Sequence, residues 1–321
     1  MKTMKWLLRR EFWEHKGMFF WAPVIAAALI AVLLTIASAQ LATNAMAHAT
    51  INGHQVTAQV NGIPAELKQA IGSGMAGGYL AVSAPLFFLL GLAVFLYCLN
   101  SLYEERRDRS ILFWKSLPLS DRDTVLSKIG AGVVMLPLIY IGVATVLSLV
   151  VLFVIATVLF VKGINLFPVL FSEGGLYLAP FQLLGLLPVY ALWALPTVGW
   201  LMLVSVWARS KAFMWAVGVP LMTIAVLKFV TVTYHLDWNV DWFVREVALR
   251  GMDGVFPGIW LAAEHVGADQ LVNPATHMMD MTNVLRASYG TLSSPSAWIG
   301  ALAGVAMLAA TVRLRRWRDE G

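Results

Sequence analysis

Apolar residues run through this chain in six long stretches: Met18–Ala42, Tyr79–Leu102, Gly130–Val161, Leu176–Trp207, Ala212–Thr233 and Ala297–Val312. Each offers about the 20 residues that a helix needs to cross the hydrocarbon of a bilayer. A helix apolar on every side has lipid for its solvent. The pattern therefore predicts an all-α, polytopic membrane protein with six transmembrane helices in a single domain, 1–321. Polar residues collect in 1–17, an amphipathic interfacial helix; 43–78, a loop; 103–128, the connection between spans 2 and 3; 234–296, an insertion between spans 5 and 6; and 313–321, a tail.

Charge sorts these segments into two sides. Residues 1–17 hold Lys2, Lys5, Arg9, Arg10 and Lys16; the second connection holds Arg106, Arg107, Arg109, Lys115, Arg122 and Lys128. Arg209 and Lys211 lie in the fourth connection, and Arg313, Arg315, Arg316 and Arg318 close the chain. These are 17 of the 23 basic residues. The positive-inside rule then places both termini in the cytoplasm, in a multi-pass plasma-membrane topology, with 43–78 and 234–296 external. The basic tail before span 1 and Ala37-Ser38-Ala39 resemble a signal peptide and its cleavage site, but the apolar run is too long for a signal core of about 7–15 residues, so it is read as a retained anchor.

Composition agrees: 59% of residues are hydrophobic and 13% charged, where soluble domains carry about 25% charged. The net charge of +5 is accounted for by topology and implies no nucleic-acid partner. The single cysteine, Cys98, has no intrachain partner for a disulfide. Spans 3 and 4 contain no Asp, Glu, Lys, Arg or His. The bundle is therefore expected to lack the buried titratable groups on which ion-driven transporters depend, and energy for transport would come from outside the chain. Gly72-Ser73-Gly74-Met75-Ala76-Gly77 fits a dinucleotide fingerprint by letter, but no strand precedes it. Phosphate-binding loops, His-Glu-x-x-His and Gly-x-Ser-x-Gly do not occur. The chain is expected to hydrolyse no ATP and to be no enzyme.

The connection 103–128 is the richest segment. Glu104, Glu105, Arg106, Arg107 and Arg109 precede Ser110–Leu117, in which Ile111, Trp114 and Leu117 form one apolar face before Pro118 ends the run. An exposed docking helix needs this combination: apolar side chains to enter a groove and charges to orient it. The other reading is a helix that only anchors the loop among headgroups. Ser120 with Asp123 makes an N-cap for a helix running through Lys128 into span 3. In the N-terminal segment, Met4, Leu8 and Phe12 share one stripe, Lys5, Arg9 and Lys16 the next, and Trp6 and Trp13 a third, as in a helix lying in the membrane surface.

The order of acidic turn, short apolar helix, Leu117-Pro118-Leu119-Ser120 and Lys128 opening a long span resembles the permeases of ABC-2-type exporters. The sequence signal covers Glu104–Lys128; Arg109-Ser110 stands where many members have Gly-Thr. The resemblance implies that Glu105 to Leu117 is the coupling helix that rides on a cytosolic ATP-binding-cassette ATPase. It also implies that the helix before span 1 touches that ATPase, making Arg9, Arg10 and Glu14 further docking candidates. No cofactor is expected in this chain, with ATP and Mg bound by the partner. A second permease copy or a related subunit would complete an export pathway for an amphipathic or hydrophobic substrate: a lipid, a peptide antibiotic or a drug. The alternative is a membrane-embedded sensor or assembly factor docking a non-ATPase partner.

On the external side, Ile51–Gly62 alternates between two Asn-Gly pairs, a hairpin pattern, and a helix over Pro64–Ile71 follows. The insertion 234–296 carries seven acidic residues against three Arg, with Trp238, Trp242, Phe243, Phe256 and Trp260 placed to lie at the outer interface; the resemblance to exporter permeases implies that it is a lid over the exit. His277 is followed by Met278, Met279, Asp280 and Met281, a soft-metal composition, but no two His share ligand spacing and no metal site is assigned.

Overall fold

The structure, a computed structural model, describes residues 2–49, 65–108, 120–161, 165, 167–172, 174–235, 239–274 and 279–317. Among them six helices are long and apolar enough to cross a membrane: Gly17–Gln40, Ala81–Arg107, Asp121–Val161, Gly174–Trp207, Ala212–Tyr234 and Pro295–Trp317, here spans 1 to 6. The described residues form no strand; a single bridge pairs Val272 with Met279.

Helices outrun the apolar stretches that announced them. The helix of span 1 continues to Ala49, and that of span 2 begins at Ala65 and runs 36 residues to Asn100. At 1.5 Å per residue it is roughly 54 Å long, against about 30 Å of hydrocarbon. Much of the segment read as a loop, 43–78, therefore prolongs the helices on either side, because its Ala, Leu, Met, Gln and Lys are strong helix formers. The Gly72–Gly77 motif lies within the second helix. The hairpin Ile51–Gly62 lies outside the described residues.

Span 4 is the centre of the bundle, buried over 72% of its most apolar stretch, and span 5 the periphery, at 6%. Spans 4 and 6 meet through glycines: a Cβ on Gly199 would stand 2.6 Å from the Gly304 carbonyl oxygen, and a Cβ on Gly304 would overlap the Leu195 carbonyl. Span 6 buries Ala297, Ala301, Gly304, Leu308 and Thr311, mostly small residues at helical spacing. In lipid no hydrophobic force separates helix from solvent, so close backbone approach by small residues is what holds spans together. Span 1 packs on spans 2 and 3 through Ala27, Leu86, Ala144, Leu147 and Val151. Pro188 starts the inner helix of span 4, while Pro85, Pro180, Pro196 and Pro220 sit inside helices. Among the described residues three segments are π-helical: Gly17–Trp21, Ala131–Met135 and Val244–Leu249.

The insertion between spans 5 and 6 corrects the expectation of helices lying wholly at the outer interface. Trp242 is exposed, but Arg250, Val255 and Trp260 are buried. The Phe256 ring fills the notch at Gly91 of span 2, where a Cβ would overlap it. Thr197 Oγ1 of span 4 donates to the Arg250 carbonyl at 2.8 Å, and the Arg250 guanidinium lies 4.2 Å from the Trp193 ring centroid and donates to the Ala297 carbonyl at 3.2 Å. Gly300 leaves it room, since a Cβ there would stand 2.7 Å from Arg250 Cζ. Val255–Leu261 is too short to cross a bilayer, yet apolar enough to gain by entering the bundle. Turn hydrogen bonds satisfy part of its backbone on the way, Phe256 N–H to Asp253 O at 2.9 Å and Leu261 N–H to Gly258 O at 3.0 Å. Gly258, at φ 89°, holds a left-handed conformation that favours glycine.

Candidate functional site

The start of span 1, the end of span 2, the start of span 3 and the ends of spans 4 and 6 meet at one end of the bundle. This basic end is the one the charge alternation marks. Lys128, 2% exposed, places Nζ 3.1 Å from Glu11 Oε1 and 3.0 Å from Glu105 Oε1. Arg315 Nη2 lies 3.1 Å from Glu105 Oε2, and its Nε donates to Asp121 Oδ1 at 3.2 Å. Arg10 Nη2 reaches Glu11 Oε1 at 2.6 Å and Glu105 Oε1 at 3.5 Å, while the Tyr97 hydroxyl donates to Glu11 Oε2 at 2.8 Å. Three cations thus face three carboxylates. Burying a charge costs several kcal/mol unless partners compensate it, and here each has at least one.

Local sequence builds each arm. Leu7 and Glu11, four apart, are the buried face of the helix Lys2–Glu14, with Leu8 and Phe12 packed at its side. Met4 is half-buried, and Trp6 and Trp13 are exposed. Ser120 caps the helix Asp121–Gly130 as expected, accepting from Asp123 N–H at 3.0 Å, and Lys128 lies on its buried face. Arg106 Nη2 donates to the carbonyls of Ser205 at 2.6 Å and Ala208 at 2.8 Å, closing the end of span 4. Ser205 Oγ in turn accepts from Leu102 and Tyr103 N–H.

Glu105 and Arg106 were expected to be exposed docking charges; the structure corrects this, burying both in the chain's own interior. Glu104, Arg107 and Arg9 are exposed, and Glu14 pairs with Arg10 at 3.4 Å. Arg109, Ile111, Trp114 and Leu117 lie outside the described residues. Glu11, Tyr97, Asp121 and Arg315 join the site without having been singled out in the sequence. A bundle free of titratable groups was also expected, and this too is corrected. Apolar stretches exclude such groups, but the flanks supply Glu11, Glu105 and Arg315, and the insertion supplies Arg250. An uncharged interior is therefore no ground for excluding ion coupling in this chain.

Among the described residues no group of three or more His, Cys, Asp and Glu is placed to hold a metal ion. His277 and Met278 lie outside them. Asp280 accepts from Thr282 N–H as a helix cap, and Met281 is buried.

Burial pushes the Glu11 carboxyl up, but the Lys128 and Arg10 charges and the Tyr97 and Lys128 hydrogen bonds outweigh it and hold the group below its ordinary 4.5. A depressed carboxylate contributes stability that is complete above its unfolded value and lost as pH falls through the folded one. The melting temperature of the detergent-solubilised protein should fall as pH drops below about 4.5, and Glu11→Gln should remove that component of the fall; identical pH profiles for the two proteins would contradict it.

Six helices long and apolar enough to cross a membrane, five of them meeting at a buried ionic cluster, fit a multi-pass helical membrane protein. Compared with known proteins, the chain matches no family model, no curated protein and no solved structure.

Proposed function

We propose that this chain is the permease subunit of an ATP-driven exporter, moving an amphipathic or hydrophobic substrate across the plasma membrane while separate cytosolic ATPase subunits supply the energy. The observation that carries the reading is the anchoring of the 103–128 connection. Glu105 and Arg106 fix its first flank to spans 4 and 6, and Asp121 and Lys128 fix its second to span 6 and the N-terminal helix. A partner that moves the segment between them moves five chain segments together. Glu104, Arg107 and Arg9 remain outward to meet such a partner. On this reading both termini face the cytoplasm, and a second permease copy completes the pathway.

Truncating an aromatic anchor at an interface typically costs about 2 kcal/mol or more. Trp114→Ala should therefore leave the chain inserted and folded while stripping the ATPase from the purified complex and abolishing substrate-stimulated hydrolysis. ATPase stoichiometry and stimulated turnover in reconstituted membranes measure this. Wild-type values of both in Trp114→Ala and in Ile111→Ala would reduce the segment to a membrane anchor.

A further inference from the structure

At the opposite half of the bundle from the ionic cluster, the re-entrant insertion encloses an apolar chamber of about 460 Å³ against spans 2, 3 and 4. Ligand sites for small molecules span about 300–1,000 Å³ and are mostly apolar with a few polar groups. Phe87, Leu90, Ile141, Tyr190, Phe256 and Trp260 form much of its wall. Ala81, Ala84 and Phe88 also line it and are exposed on a single stripe of span 2, so the chamber opens sideways through the face of a membrane-crossing helix. Two alanines at that mouth leave room for a chain to pass.

The lining offers little polarity, and what it offers is informative. Trp260 Nε1 already donates to Ser288 Oγ at 2.9 Å. The Tyr190 hydroxyl, on a side chain 3% exposed, has no hydrogen-bond partner among the described residues. The oxygen is fully buried, so Tyr190 offers an occupant its ring rather than its hydroxyl.

We infer that the chamber binds one hydrocarbon chain of a membrane amphiphile, admitted laterally past Ala81 and Ala84. The sideways mouth selects the occupant: an apolar opening on a lipid-facing stripe is reached by acyl chains already in the bilayer, without crossing water. This deepens the exporter reading by naming its cargo class, and rests on that reading only in calling the occupant cargo.

The test uses the full chain without any ATPase, reconstituted in phosphatidylglycerol nanodiscs doped with a phospholipid bearing a mid-chain diazirine. After irradiation, adducts should concentrate on 84–91 and 256–261, several-fold above those on the exposed span 5 residues Phe229 and Val232, which report surrounding lipid. Ala84→Trp and Ala81→Trp, at exposed positions, should each lower the chamber adducts about tenfold and leave those on span 5 unchanged. Chamber adducts no more abundant than those on span 5, or unaffected by both tryptophans, would overturn the site, as would cross-links from Phe88 to a second copy seated in the mouth. Because no ATPase is present, such a failure leaves the docking reading untouched.

Discussion

Lys128→Met should destabilise the protein by about 3–5 kcal/mol, because it leaves the buried carboxylates of Glu11 and Glu105 facing each other without the ammonium that lies about 3 Å from both. Lys128 belongs to no exposed pair whose loss water would absorb. Removing both partners of a buried pair is far milder than removing one, so Lys128→Met combined with Glu11→Leu should recover at least half of the loss, while Glu105 keeps Arg315. Denaturant or thermal unfolding of the single and double variants, read by tryptophan fluorescence, measures this. A double variant no more stable than Lys128→Met would show that the two side chains do not act as a pair.

Alanine in place of Gly304 or Gly199 should force spans 4 and 6 apart. The added methyl would meet backbone, the Leu195 carbonyl in one case and the Gly304 carbonyl in the other, and backbone cannot rotate away as a side chain can. Overpacking of this kind typically costs about 1–3 kcal/mol. Gly142→Ala and Gly218→Ala are the matched controls, since a Cβ at either meets nothing within 4 Å. A lowered melting temperature in the first pair with no change in the second would place the cost at the crossing itself; equal effects in all four would trace it to something other than contact.

What the sequence discloses and what it hides divide along a physical line. Six spans are legible because lipid imposes a length and an apolar composition that a run of residues displays by itself. Cap chemistry is legible for the same local reason, as Ser120 with Asp123 demonstrates. The ionic cluster is not, since Glu11 and Lys128 are 117 residues apart and only tertiary packing makes them neighbours. A signal was present nonetheless: Glu11 sits four residues after Leu7, and a Lys at the mouth of a long apolar run calls for a carboxylate. The re-entrant segment is hidden because Val255–Leu261 is shorter than any span and its acidic neighbours read as surface. Glu105 and Arg106 mislead for a related reason, as a run of charges looks solvent-exposed until its partners are known.

The two helices that carry Glu11 and Lys128 each pass into their spans through a π-helical turn, Gly17–Trp21 and Ala131–Met135. A π-turn holds about one residue more than the α-helical turn it replaces, and one α-helical residue corresponds to about 100° of rotation. Each junction thus stores a quantum of twist between the ionic cluster and the membrane-crossing segment. Winding either turn into regular α-helix at constant chain length would rotate the cluster-bearing helix by roughly that angle, enough to carry Glu11 or Lys128 off its partner. Deleting one residue from the turn would regularise the helix while preserving the phase on both sides. Among the described residues, two helices therefore enter the bundle from its basic end with a phase offset of about one residue and no break in the helical backbone.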